Sequence, residues 1–235
     1  MTNLVAAAAL FLGIHLLVSG TKLRDAITAK IGEKLYIPLF ALASLGAIIW
    51  LCIAYNAASA SRTNTVLFDA GPSLRGFGVV VLAASFALVV PGVLRGNPTS
   101  AGQEKAQIGG VLRITRHPFL CGVALWAGFH LIAAGTLAAT IFFATFFILA
   151  TVGTSAIDGK VRKKRPADWQ KIAAETSVVP FVAIAERRNR LVAPEIFDWR
   201  FSVAAVVFAG LLYFHSTLFG ASPFPAEWLT ALTRL

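Results

Sequence analysis

The chain alternates long uncharged runs with short segments that gather its charge. Residues 1–21 carry no charged side chain, and neither do residues 35–61, 76–94 or 201–226. Residues 118–157 run for 40 positions without Asp, Glu, Lys or Arg. A helix needs about 20 apolar residues to cross a bilayer, so this last run holds two helices. Their turn is expected at Gly135-Thr136. The pattern predicts six spans, at about 3–21, 35–56, 76–94, 118–134, 137–156 and 201–219. The fold class is therefore an all-α polytopic membrane protein, a six-helix bundle forming one integral membrane domain over residues 1–235. The first run has no basic residue ahead of its apolar core and is followed by Lys22 and Arg24, so it reads as a retained helix and not as a signal peptide. Residues 56–75, rich in Ala, Ser, Asn and Thr, read as a loop. Pro166-Ala167-Asp168-Trp169 marks a helix start, and residues 167–177 are expected to lie on the membrane surface as a short interfacial helix. Residues 178–185 are apolar but too short to span, and are expected to dip into the interface.

Composition agrees with a lipid environment. The chain is 57% hydrophobic and 14% charged, with a mean hydropathy of +0.74, against about 25% charged residues in ordinary soluble domains. A soluble enzyme, a disordered tail and a fibrous protein are excluded. Cys52 and Cys121 both sit in apolar runs, which excludes a disulfide scaffold and a cysteine-based zinc site. The net charge is +10, and its placement matters more than its size. With the amino terminus outside, the loops after spans 1, 3 and 5 hold eighteen of the 21 basic residues, leaving Arg62, Arg75 and Arg234 outside. Positive charge collects on the cytoplasmic side of membrane proteins. The run Lys160–Arg165 then anchors to anionic headgroups, and no nucleic-acid partner is needed.

Ionisable groups within the spans are functional candidates by default. Here they are histidines: His15, His130 and His215, with His117 at a membrane surface. His15, Ser19 and Lys22 share one face of a straight helix. Two intramembrane histidines on separate helices suit axial ligation of a haem, whereas zinc wants three or four ligands. No Cys-x-x-Cys-His is present, so covalent attachment is excluded. Depth along ideal helices puts His130 about 20 Å and His215 about 22 Å from the basic surface, and His15 only about 10 Å from it. Depth alone pairs His130 with His215, although His215 lies near the outer end of span 6 with Ser216 and Thr217 following, where an interfacial role is expected.

Several motifs together resemble the NnrU-like membrane proteins, the family that includes plant 15-cis-zeta-carotene isomerase. They are His15 with Ser19-Gly20 and Leu23-Arg24; Gly32 and Tyr36; Arg113-Ile114-Thr115-Arg116-His117-Pro118; Trp126 with His130 and Gly135; Asp158 with Trp169; and Thr176-Ser177-Val178-Val179-Pro180-Phe181. The resemblance implies haem b with axial ligands at His15 and His130, and Ser19, Arg24 and Trp126 as cofactor contacts. It puts Ala127 where the isomerase carries a cysteine proposed as an alternate ligand. It implies either redox-dependent cis–trans isomerisation of a lipophilic polyene or a role in nitrite and nitric oxide respiration. A bacterial inner membrane with both termini periplasmic fits, since no plastid transit segment precedes span 1. Partners would be the lipid bilayer and a lipophilic small molecule or nitric oxide.

Two other function classes remain open. Arg116-His117-Pro118-x-x-x-Gly122 also resembles the isoprenylcysteine and phospholipid methyltransferases, although Leu120 stands where those carry Tyr and Asp158 replaces a Glu-Glu pair. A regulatory or assembly membrane protein without catalysis is the third. In each reading Arg116, His117 and Asp158 form a cytoplasmic mouth, because spans 4 and 5 are joined by a short turn and must be antiparallel neighbours. An Asp158–Arg116 pair is expected there, as a structural closure, a gate or an anion-binding catalytic site.

Overall fold

A computed structural model of the chain describes residues 1–18 and 21–224. Helix α1 (Thr2–Leu12) continues as a π-helical turn over Gly13–Val18, and α2 (Lys22–Ile31) runs at 78° to them. Then come α3 (Glu33–Ser59), α4 (Gly71–Leu94), the short α5 (Val111–Ile114), α6 (Pro118–Ala133) and α7 (Leu137–Lys164). The carboxy-terminal part holds α8 (Pro166–Glu175), α9 (Val182–Ala185), α10 (Ala193–Ile196), α11 (Trp199–Tyr213) and α12 (His215–Phe219).

The sequence places the caps. Thr21 accepts from the Leu23 amide at 3.1 Å, Thr136 from Ala139 at 3.3 Å and Asp198 from Arg200 at 2.9 Å, each satisfying a donor that a helix start leaves unpaired. Pro118 and Pro166 open α6 and α8, where a missing N–H costs nothing. The α6–α7 turn falls at Gly135, as expected. Its φ of +62° is one that only glycine adopts easily, and an added Cβ would collide with the Phe68 carbonyl.

Among the described residues, three helices are long and apolar enough to cross a membrane: Glu33–Ser59, Gly76–Leu94 and Leu137–Lys164. Helix α1 with its π turn and α2 make a broken fourth, while Pro118–Ala133 and Trp199–Tyr213 are apolar but shorter. Helix α6 lies between α4 and α7, α11 packs on α4, and α1 packs on α3 and α7. Leu4, Ala7 and Phe11 of α1 meet Ala47, Leu51 and Ala54 of α3 in one buried cluster with Phe142 and Phe143 of α7. The outward positions stay apolar: Leu42, Ile53, Val80 and Val206 are each more than 60% exposed. Water would penalise such a surface and lipid does not, so this is a helical membrane protein.

Three expectations change. The stretch read as a loop over 56–75 shrinks to residues 60–70, because α3 runs on to Ser59 and α4 starts at Gly71. That connection is pinned to the α6–α7 turn by Leu67 N–H to Gly135 O at 2.7 Å and Leu137 N–H to Thr65 O at 2.9 Å. Helix α7 runs on past the expected span end at about 156 to Lys164. The single face expected for His15, Ser19 and Lys22 does not hold for His15 and Lys22, which sit in segments inclined at 78°; Ser19 lies outside the described residues. The short helix expected over 167–177 is present as α8, Pro166–Glu175.

Candidate functional site

Functional candidates fall into two groups, one at the end of the bundle that carries most Lys and Arg and one towards the opposite end. At the basic end Arg116, His117 and Asp158 come together as expected. Arg116 Nε donates to Asp158 Oδ2 at 2.9 Å and its Nη2 lies 2.8 Å from the same oxygen. His117 Nε2 lies 2.7 Å from Asp158 Oδ1, and the His117 side chain is 2% exposed. A third layer closes over them. Arg116 Nη1 donates to the Thr176 carbonyl at 3.1 Å, the Arg116 amide donates to Ser177 O at 2.9 Å, and the guanidinium sits 5.1 Å from the centre of the Trp169 ring. Thr115 Oγ1 donates to Val178 O at 2.7 Å, and Phe181 N–H to Ile114 O at 2.8 Å.

The apolar segment after α8 is therefore stitched to α5 and to the start of α6, leaving Val179 and Phe181 exposed beside it. The crevice bordering Arg116, lined also by Asn97, Leu112, Ile172 and Thr176, is too tight for a water molecule. The pieces Thr115-Arg116-His117 and Thr176-Ser177-Val178 were each visible in the sequence. Their mutual hydrogen bonding was not, because it joins residues about 60 positions apart through backbone carbonyls. A second clamp was missed altogether. Glu195 accepts from Arg113 Nε at 2.8 Å and Nη2 at 2.9 Å and from the Gly110 amide at 2.8 Å. The Arg113 guanidinium holds the Glu195 carboxyl down to about 2. No motif spacing announces a pair 82 residues apart.

Towards the opposite end lies a cavity of about 410 Å³ between α3, α4, α6, α7 and the α11–α12 segment. His130 and His215 both line it, with Tyr55, Val79, Leu82, Phe129 and Leu212 among its walls. His130 Nδ1 is 2.8 Å from Trp126 O, and His215 Nδ1 is 2.7 Å from Ala221 O. A carbonyl oxygen only accepts, so both rings donate from Nδ1 and carry their lone pair on Nε2. That is how a metal-binding imidazole is usually fixed, with its second nitrogen held by a backbone carbonyl. His130 stacks on Phe143 at 4.5 Å, and Trp126 lies one turn back, 5.4 Å from His130.

His15 is elsewhere. It sits in the π-helical turn with Nδ1 2.8 Å from Phe11 O, and its ring is 5.6 Å from Phe40. Helix α3 serves as a ruler. Tyr55 stacks on Phe142 at 4.3 Å and lies 6.3 Å from Phe143, the partner of His130. Phe40 and Tyr55 are separated by about 22 Å of helix. The pair carried over from the resemblance, His15 with His130, is not in contact: His15 packs on Phe11 and Phe40, and His130 on Trp126 and Phe143. Phe11, Phe146 and Trp126 fill the space between them. Arg24, expected near the cofactor, belongs to the basic end, where it pairs with Glu33 at 2.6 Å and lies over the Tyr36 ring. Trp126 does adjoin His130.

The fold and this constellation define a helical membrane protein with a histidine-lined cavity. The family model described as "NnrU protein" matches residues 3–223, so the chain belongs to the NnrU family. It is 33% identical over 128 residues to the 15-cis-zeta-carotene isomerase, chloroplastic, of Arabidopsis thaliana, a match covering 51% of this chain and 33% of that protein. The chain spans about a third of the length of that relative. No solved structure matches it.

Proposed function

We propose that this NnrU-family protein is a membrane-embedded isomerase-type enzyme that acts on a lipophilic polyene at the cavity between His130 and His215. The observation that carries the reading is the pair itself: two imidazoles, each locked with its Nε2 lone pair available, lining one largely apolar chamber. The relative's name supplies the substrate class, a cis carotene. The donor set fits a haem b, which takes two imidazoles and an apolar slot. His130 and His215 would hold it, and bound iron would supply a redox-active centre able to polarise a conjugated double bond. The chain's own contribution is to fix both imidazole tautomers, to exclude water with Val79, Leu82, Phe129 and Leu212, and to present Tyr55, Asn64 and Ser222 as polar contacts.

The same reading includes six crossings. Helix α6 packs against both α4 and α7, each long enough to span, so it runs through the bilayer beside them despite its 16 residues. Helices α11 and α12 together cover 199–219 next to α4. The basic end then faces the cytoplasm of a bacterial inner membrane, with both termini on the far side. The test is the absorption spectrum of the purified protein, followed by conversion of 15-cis-zeta-carotene by reduced and oxidised samples. A haem spectrum with conversion only on reduction supports the proposal. Equal conversion by reduced, oxidised and haem-free protein removes the cofactor from it, and no conversion removes the isomerase.

A further inference from the structure

A second cavity, of about 400 Å³, opens at the basic end between α2 and α7. Lys22, Arg24, Lys160, Lys163 and Lys164 line it, against one carboxylate, Asp25. Asp25 is already engaged by Lys164 at 3.0 Å and Arg24 at 4.0 Å, and Arg24 also pairs with Glu33. The lining therefore keeps a large positive excess in one concave space. Such crowding is unfavourable until an anion enters.

The surroundings identify the kind of anion. Along α7, Ile148, Val152, Ser155, Gly159 and Lys163 recur at intervals of three or four residues and so share one face. From mid-helix outward that face reads apolar, then small, then cationic. Ile148 and Val152 are exposed, at 42% and 46%. Ser155, Ala156 and Gly159 form the floor of the cavity, and a Cβ added at Gly159 would meet open space. Leu23, Ile27 and Ile31 form a stripe along α2 at i, i+4 and i+8, with Leu23 and Ile31 exposed. Helix α2 is bent by 78° from α1 and its π turn, and such a stripe on a steeply inclined helix suits a membrane surface. The cavity is thus cationic, and the exposed Ile148 and Val152 lie on the same face of α7 about two to three turns away from its Gly159 floor.

We propose that this notch binds an anionic phospholipid whose headgroup carries two negative charges, with an acyl chain lying along Ile148 and Val152. Phosphate is the recognised chemistry, and a free phosphate ion is the other possible source of it. The test uses the full-length protein purified in a mild neutral detergent, with native mass spectrometry and thermal unfolding as readouts and cardiolipin, phosphatidylcholine and inorganic phosphate as probes. Cardiolipin is expected to be retained and to raise the unfolding temperature, while phosphatidylcholine and inorganic phosphate do neither. Lys22→Gln with Lys163→Gln should weaken cardiolipin binding roughly thirtyfold, at about fivefold per cation removed, while Arg187→Gln with Arg190→Gln at the same end leaves it unchanged. Gly159→Leu fills the floor without altering charge and should also displace the lipid, which keeps the test decisive if the lysine variant folds poorly. Cardiolipin retention unchanged by both notch variants overturns the proposal. Inorganic phosphate binding as tightly as cardiolipin overturns the lipid assignment.

Discussion

Asp158 Oδ1 and His117 Nε2 lie 2.7 Å apart where α6 and α7 meet at the basic end, so the acid taken by Arg116 is also the acceptor for a buried imidazole. One carboxylate therefore closes two contacts. Asp158→Asn leaves the guanidinium and the ring without a charged acceptor and should lower stability by about 3 kcal/mol, seen as earlier thermal unfolding in detergent. A charge swap, Arg116→Asp with Asp158→Arg, should fail to restore it. The new arginine would face His117, and the contacts of Arg116 with Thr176 O and Trp169 would be lost. Full recovery by the swap would show that only the sign of one pair matters.

The Arg113–Glu195 clamp makes an acid-sensitive contribution. The Glu195 carboxyl is depressed from 4.5 to about 2 in the folded protein, chiefly by its hydrogen bonds to Arg113 and the Gly110 amide. A group whose folded value lies below its unfolded value stabilises above the unfolded value and loses that contribution as pH falls towards the folded one. The loss runs from about pH 4.5 down to about pH 2. Glu195→Gln should unfold earlier than the parent at about pH 6, and the gap should narrow near pH 3. A gap that is constant across this window would mean that the pair does not report on folding.

Much of this architecture was legible from periodicity and charge. The uncharged runs became α1, α3, α4, α6, α7 and α11 because a bilayer-sized apolar stretch has few other ways to satisfy its backbone. The turn at Gly135 and the Arg116–Asp158 pair followed from a short connection between antiparallel helices. What local pattern could not supply was long-range pairing. The π-helical turn at His15 and the departure of α2 break the straight-helix projection from which the His15–Lys22 face was read. The grouping of His130 with His215 depends on α11 packing against α4, a contact with no sequence signature.

Close approach of α4 and α6 depends on Gly122. Ser85 Oγ donates to the Gly122 carbonyl at 2.7 Å, and a Cβ on Gly122 would come within 2.5 Å of Val89 Cγ2 and 2.7 Å of Ser85 O. Backbone cannot yield as a side chain can. Gly122→Ala should cost about 1–3 kcal/mol by overpacking. Gly46→Ala on α3, where an added Cβ meets nothing within 4 Å, should be near neutral. Equal unfolding temperatures for the two variants would contradict this packing.

The two histidine pairings make opposite predictions, and single substitutions separate them. If His130 and His215 hold the cofactor, His130→Ala and His215→Ala each remove one of the two residues that would bind it and should abolish or shift the Soret band. His15→Ala should leave the spectrum intact, because His15 does not line that cavity. The three changes are not equivalent for the fold. His15 packs between Phe11 and Phe40, so its loss should cost stability without moving the spectrum. His117→Ala serves as the control for a buried histidine in the Asp158 contact, and it should destabilise while sparing the haem. Trp126→Phe removes the indole beside His130 but keeps the backbone carbonyl that fixes its tautomer, so it should shift the band and not eliminate it. Loss of the band in His15→Ala with its retention in His215→Ala would restore the pairing implied by family resemblance.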